Sequence, residues 1–370
     1  MKTSALFFGL LALTLMSPVR SGQAAESSTF ITIFDEQFAT DPHERFKTIP
    51  LPVPGQDTSE GSYEYDKDQK ARSLSGHLAL IRPVRAGAKV RLDLQLQFNA
   101  PDAKAPAQMI TSFKFVLFDQ SVAGVEIERS KQTNVPARVR FVHESAGQPS
   151  AKVLREITLK DTALDGEWHL GYCHGLLTLQ HGEQQIGGAC MDKLGVQVAG
   201  VSWAQKGGKV TCKRMTLTGE PLHETSPTDQ ETLHRASLLN QESQRLFRAG
   251  KADEALPKMK DASALFVQVD GENHYDSANS FLNLAMMLEP SDKAESIKLY
   301  QKALAIHENT LGAKHPHTTL TRFYLAKCFM EDGESEKAKK LWTQCRDDWK
   351  EMLGEDYKLV KSLNNILLRM

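Results

Sequence analysis

The chain has 370 residues, with 45 basic and 46 acidic side chains and a formal net charge of −1. That balance offers no electrostatic basis for binding nucleic acid or an anionic membrane surface, both of which call for concentrated positive charge. Five cysteines are too few for a disulfide scaffold and odd in number, so at least one stays unpaired within a monomer.

Lys2 supplies a positive start, Ala5 to Met16 form an apolar run, and small residues follow at Gly22, Ala24 and Ala25. This order predicts a secretory signal peptide over residues 1–24. The run is shorter than the roughly 20 apolar residues that span a bilayer, which argues against an anchor. A lipoprotein is not expected, because the first cysteine is Cys173. Loss of Lys2 and Arg20 leaves 43 basic residues against 46 acidic ones, and no later segment is apolar enough to cross a membrane. The expectation is a soluble exported chain, periplasmic or secreted, long enough for one large core or two smaller ones.

Residues 29–219 read as strands. Lys89 to Phe98 alternates strictly, with Val90, Leu92, Leu94 and Leu96 on one face. Further strands are expected at Phe30–Phe34, Leu78–Arg82, Ile110–Phe118, Ala137–Val142, Val153–Leu159, Trp168–Tyr172, Leu176–Leu179, Val196–Trp203 and Val210–Leu217. Turn residues separate them, including Asn99–Asp102, Gly147–Pro149, Asp165–Gly166 and Gly207–Gly208. Many short strands without a helical stretch predict a sandwich of two antiparallel sheets.

Residues 220–230 are polar, carry Pro221 and Pro227, and read as a linker. From residue 231 the period becomes helical, and the chain repeats itself. Gly271, Gly312 and Gly354 open similar four-residue runs, 41 and then 42 residues apart. Small residues precede them in two columns: Ala262, Ala303 and Cys345, then Ala255, Ser296 and Ala338. Leu284-Ala285 and Leu325-Ala326 follow at matching distances. Helices approach closely only where side chains are small, so the pattern predicts a solenoid of helical hairpins.

The run from Leu299 to Pro316 (LYQKALAIHENTLGAKHP) resembles the tetratricopeptide repeats of kinesin light chains, which are longer than the standard unit. Ser280–Ala285 and Ser362–Leu367 resemble that family's Asn-containing first helix, whereas Arg322-Phe323-Tyr324 departs from it. The resemblance covers residues 233–370 and implies two and a half to three repeats plus a last helix. It also implies a concave groove for a protein or peptide, lined by Asn279, Leu282, Asn283, Met286, Phe323, Lys327 and Asn364. An Asn amide offers a bound backbone both a donor and an acceptor. The competing expectation is that Leu282 and Phe323 are core and the Asn residues cap or face water. More weakly, Ile33–Pro42 and Gly166–Gly188 resemble the opening and the Trp strand of concanavalin-A-like or laminin-G-like sandwiches.

Three groups invite a chemical reading. His169 and Cys173 share a strand face opposite Trp168, Leu170 and Tyr172, and His181 on the next strand is placed to join them as zinc ligands. The spacing fits no standard zinc pattern, His174 points the other way, and solvated histidines near Cys173 and Cys190 are the expectation. Glu64, Asp66 and Asp68 lie in an acidic stretch, residues 60–68, expected to be a solvated loop; it lacks the Gly turn and closing Glu of a calcium loop. Glu126 and Glu128 put two acids on one strand face, but Ser130 and Lys131 interrupt the Glu-x-Asp-x-x-Glu arrangement of sandwich glycosidases. No metal or other cofactor is expected. Two of Cys173, Cys190 and Cys212 are able to pair after export, and Cys345, in a small-residue column, is expected in the core.

The fold expected is therefore a multidomain α+β chain: an all-β antiparallel sandwich followed by an α-helical tetratricopeptide-repeat array. The functional expectation is a non-enzymatic binding or scaffold protein, with a protein or peptide partner on the repeats and a polysaccharide or second protein on the sandwich. The rivals are a carbohydrate-active enzyme docked by its repeats and a structural component of an envelope assembly.

Overall fold

A computed structural model describes residues 30–38, 45–50, 61–66, 68, 70–101, 105–132, 134–146, 151–160, 163–191, 196–222 and 225–370. The expected signal peptide lies outside them. The chain divides into two compact units, one built of strands and one of helices.

The strand unit contains, in chain order, β1 (Ile31–Glu36), β2 (Lys47–Pro50), β3 (Gly61–Asp66), β4 (Ala71–Phe98), β5 (Gln108–Leu117) and β6 (Val122–Ser130). These are followed by β7 (Arg138–Glu144), β8 (Lys152–Thr158), β9 (Gly166–Cys173), β10 (Leu176–His181), β11 (Gln184–Cys190) and β12 (Val198–Pro221). Hydrogen bonding runs β11-β10-β9-β4-β12-β5-β6-β7-β8, with β1 on β12 and with β2 and β3 on β4. The long strands β4 and β12 pass from one layer to the other, so each carries two of the short strands expected from sequence. Their register falls on one strand as it rises on the other, from Val201↔Arg82 to Lys206↔His77 and from Arg214↔Gln95 to Thr218↔Arg91, which is antiparallel. β12 changes layer at Gly207 and Gly208, both with positive φ (72° and 68°). A side chain at Gly207 would run into Pro106, and one at Gly208 would meet Met109 Sδ, so only glycine fits the bend. β8 and β11 approach at the far edges and leave the sandwich nearly closed.

Alternation explains the core. Val90, Leu92, Leu94 and Leu96 of β4 are buried with Trp168, Leu170 and Tyr172 of β9 against Phe113, Phe115, Val125, Phe141 and Trp203. Full burial of each such aliphatic side chain is worth about 1.5–3 kcal/mol. Two polar tips find partners inside this core: Trp168 Nε1–H donates to the Leu164 carbonyl (2.8 Å) and Tyr172 O–H to that of Val196 (2.7 Å).

One expectation is overturned here. Residues 61–66 of the acidic stretch are strand rather than loop, with Tyr65 opposite Arg72 on β4. Tyr and Ser suit an edge strand, and Glu64 is accommodated because it faces outward to Lys209 at 2.9 Å. β2, β6 and β11 are strands beyond those expected from the sequence.

The helical unit contains α1 (Pro227–Arg248), α2 (Ala252–Asp270), α3 (Tyr275–Leu288), α4 (Lys293–Thr310), α5 (Pro316–Glu331), α6 (Ser335–Leu353) and α7 (Lys358–Leu367). They form three antiparallel hairpins and a last helix that packs on α6. α1 begins inside the expected linker, because Ser226 caps it by accepting from Asp229 N–H (3.1 Å) and Pro227 occupies its first turn.

The small-residue columns lie where helices meet: Ala255, Ser296, Ala338, Ala262, Ala303 and Cys345 are fully buried. Ser296 Oγ–H donates across that contact to the Ala285 carbonyl (2.9 Å), and Ser243 does the same to Ala255 (2.7 Å). Gly271, Gly312 and Gly354 each end a helix with φ between 81° and 95°, the left-handed stop that glycine adopts without strain. Three residues later His274 and His315 cap the next helix, their Nδ1 atoms accepting from Asp276 N–H (3.3 Å) and His317 N–H (3.2 Å). The recurrent Gly-x-x-His is thus one stop and one start.

Candidate functional site

The groove expectation concerns the first helix of each hairpin, and the structure divides it. Leu282 and Phe323 are core, Phe323 lying between Trp342 and Trp349 of α6 at centroid distances of 6.1 and 5.9 Å. The two residues stand in one column of the repeat, each eleven residues after its glycine, and both are buried in the helical core, so that column is corrected from groove to packing. Asn279, Asn283 and Met286 are half-buried on α3, Lys327 is partly exposed on α5, and Asn364 is exposed on α7.

Asn283 Nδ2 donates to Asn240 Oδ1 on α1 (3.2 Å), and that oxygen also accepts from Gln244 Nε2 (3.2 Å). Asn240 is only 1% exposed, so the amide seam is set into the junction of α1 and α3. On the other flank Lys327 pairs with Glu289 at the end of α3, and Glu289 also accepts from Tyr300 O–H (3.1 Å). Half-burial works against the Lys327 ammonium, but Glu289 and Glu331 outweigh it and hold its pKa above the usual lysine value. Burial pushes the Tyr300 hydroxyl far up, so it stays a neutral donor. From α1 to α5 the line reads amide, amide, thioether, ion pair. Among the described residues, the seam leaves Asn283 Oδ1 and its second N–H available, and no hydrogen bond engages the Asn279 side chain. Asn364 lies apart, on α7.

Sequence reasoning missed Asn240, Gln244 and Glu289. Asn240 precedes Asn283 by 43 residues, off the 41- and 42-residue spacing of the glycines, and so falls outside the repeat columns.

The sandwich groups resolve differently. His181 lies directly opposite Trp168 across β9 and β10 and stacks on it at 4.2 Å, so it is on the core-side face and cannot join His169. His169 Nδ1 instead meets Asp93 Oδ1 (2.5 Å). His174 occupies the two-residue turn of the β9–β10 hairpin with φ 44°, followed by Gly175 at 91°, the paired positive values of a type I′ turn. Cys173 and Cys190 flank Leu176 from either side. A whole strand separates them, about 9.6 Å across the sheet, beyond disulfide reach. No disulfide joins any of the five cysteines, and burial pushes Cys173 and Cys345 up to about 12.

Glu126 and Glu128 do not converge on an open site. Glu126 accepts from Lys114 Nζ (2.9 Å), while Glu128 is buried between Arg138 (2.5 Å) and Arg140 (2.7 Å). With Glu144 on Lys114 and Glu156 on Arg140, they form an ionic lattice over β5 to β8. Burial opposes the Lys114 charge, yet its two carboxylates raise its pKa.

The tetratricopeptide repeat family model matches residues 277–317, the span from α3 through α4 to the start of α5. No curated protein matches. Among solved structures, the chain is similar to the nearly identical TPR-like repeats of a putative kinesin light chain from Podosopora anserina. The identity is 20% and the TM-score 0.34, over 36% of this chain and 64% of that one. It therefore spans less than two thirds of that relative. A Bacillus subtilis protein of unknown function with a galectin-like fold is 10% identical, with TM-score 0.35, over 52% of this chain and 97% of that one. Bacillus licheniformis beta-glucanase is 10% identical, with TM-score 0.34, over 50% and 96%. The architecture is a nearly closed antiparallel β-sandwich. A helical array containing a tetratricopeptide repeat follows it.

Proposed function

We propose that this is an exported binding or scaffold protein whose repeats hold an extended segment of a partner protein along α1, α3 and α5. The observation that carries the reading is the Asn283–Asn240 amide seam with Asn279 beside it. Half-buried amides with spare donors and acceptors suit a peptide backbone, and Met286 supplies an adaptable apolar contact. Lys327 is already paired with Glu289 and Glu331, so backbone and shape, rather than net charge, would set the preference. Export rests on the order of Lys2, the Ala5–Met16 run and Ala24.

For the sandwich the proposal is a second binding role, toward glycan or protein, rather than catalysis. The cations on Glu126 and Glu128 support this, because carboxylates closed into ion pairs with Lys114, Arg138 and Arg140 do not converge across a sugar. Panning a random peptide display library against the full chain tests the groove. Enriched peptides should lose at least tenfold in affinity for the Asn279→Ala/Asn283→Ala double variant and keep it for Glu156→Ala on the sandwich. Peptides that bind the double variant as well as the parent would remove the groove from consideration.

A further inference from the structure

Asp270 ends α2 with its side chain fully buried. The residues at the same place in the next two repeats, immediately before Gly312 and Gly354, are Leu311 and Leu353. A buried carboxylate thus stands in a column that is otherwise apolar. Further donors stand at the start of the next helix, His274 at its cap and Asp276 in its first turn. His274 Nδ1 is 3.5 Å from an Asp270 carboxylate oxygen and 3.7 Å from one of Asp276, and the three donor atoms all lie within 4.8 Å of one another.

Those separations exceed a charge-assisted N–H···O bond, which runs about 2.7–2.9 Å. They are close to the roughly 3.3 Å between two donors each set about 2.0–2.1 Å from a tetrahedral ion. We propose that Asp270, His274 and Asp276 form a site for a divalent transition-metal ion of the zinc type, clipping the end of α2 to the start of α3. One imidazole and two carboxylates are a fitting donor set for such an ion, and three protein ligands leave a fourth position for water or a partner's side chain. Two carboxylate charges outweigh the roughly half positive charge of the α3 N-terminus.

The next repeat provides an internal comparison. His315 caps α5 with the same geometry as His274, but its neighbours are Leu311 and His317. Capping therefore does not by itself call for flanking acids. Ion and cap compete for one lone pair, since His274 Nδ1 now accepts the Asp276 N–H. Binding should release a proton wherever the imidazole starts protonated, because only the neutral ring can ligate.

The test is calorimetric titration of the full chain, stripped by chelator, with Zn²⁺ alone at pH 7.5. One equivalent should bind, and zinc should raise Tm. Asp270→Leu, which restores the residue type of the other repeats, should fold and lose at least tenfold in affinity. His274→Asn, which keeps a capping side chain, should lose as much, while His315→Asn should lose nothing. If Asp270→Leu does not fold, His274→Asn decides. Absence of a one-equivalent event, or affinity retained in the variants that fold, overturns the site.

Discussion

Acid should unfold the repeat array through two buried histidines. His307 of α4 and His317 of α5 are buried with ring centroids 6.5 Å apart. Around them stand Tyr275, His315 and Thr321, whose Oγ1 is 3.0 Å from His307 Nδ1. Burial first, and the neighbouring imidazoles second, push His307 down to about 3 and His317 well below its ordinary value. Folded pKa values below the unfolded 6.5 mean that the unfolded chain binds the protons. The stability is therefore intact above pH 6.5 and lost as pH falls toward 3. At pH 5 the unfolded state gains about 2 kcal/mol through His307 alone, at 1.36 kcal/mol per pH unit, and His317 acts in the same direction. Domains are commonly stable by only about 5–15 kcal/mol. Urea unfolding followed by helical circular dichroism at pH 7.5 and 5.0 measures the difference, and His317→Leu should reduce it. A helical transition equally stable at both pH values would refute the argument, as would a difference unchanged in His317→Leu.

Arg322 is 2% exposed and held by Asp348 (2.8 Å), Glu308 (3.0 Å) and the Ala313 carbonyl (3.1 Å). Arg322→Ala strands the half-buried Asp348 carboxylate and should cost about 3–5 kcal/mol in chemical denaturation, whereas a cost below about 1 kcal/mol would show a solvent-screened pair. Ala303 sits at the closest approach of two helices, so Ala303→Leu should destabilise the array by about 1–3 kcal/mol or more by overpacking. An unchanged melting temperature would place that column outside the contact.

Local periodicity made much of this architecture readable. The strict alternation of Lys89–Phe98 specifies one buried face whatever strand lies beside it. The Ala and Ser columns between Ala255 and Cys345 need only their spacing to announce helical contacts. The resemblance to kinesin-light-chain repeats implied that Asn279 and Asn283 lie on a first helix. It could not separate Leu282 and Phe323 from the groove, since core and groove columns are adjacent on one helix and share a period.

What the sequence by itself determined is the order of the two architectures, the change of period near residue 230, and the recurrence of the glycine-led runs at Gly271, Gly312 and Gly354. Each depends on residues near one another in the chain. Only the tertiary structure decided who meets whom. His181 stacks on Trp168 instead of joining His169 because strand register, with its period of two, assigns the face. Glu126 and Glu128 are held by cations from β5 and β7. Asn240 and Asn283 meet across two helices, and Asp270 reaches His274 across the turn that Gly271 permits. Contacts between elements follow register and crossing geometry, and neither is written in the spacing of any single segment.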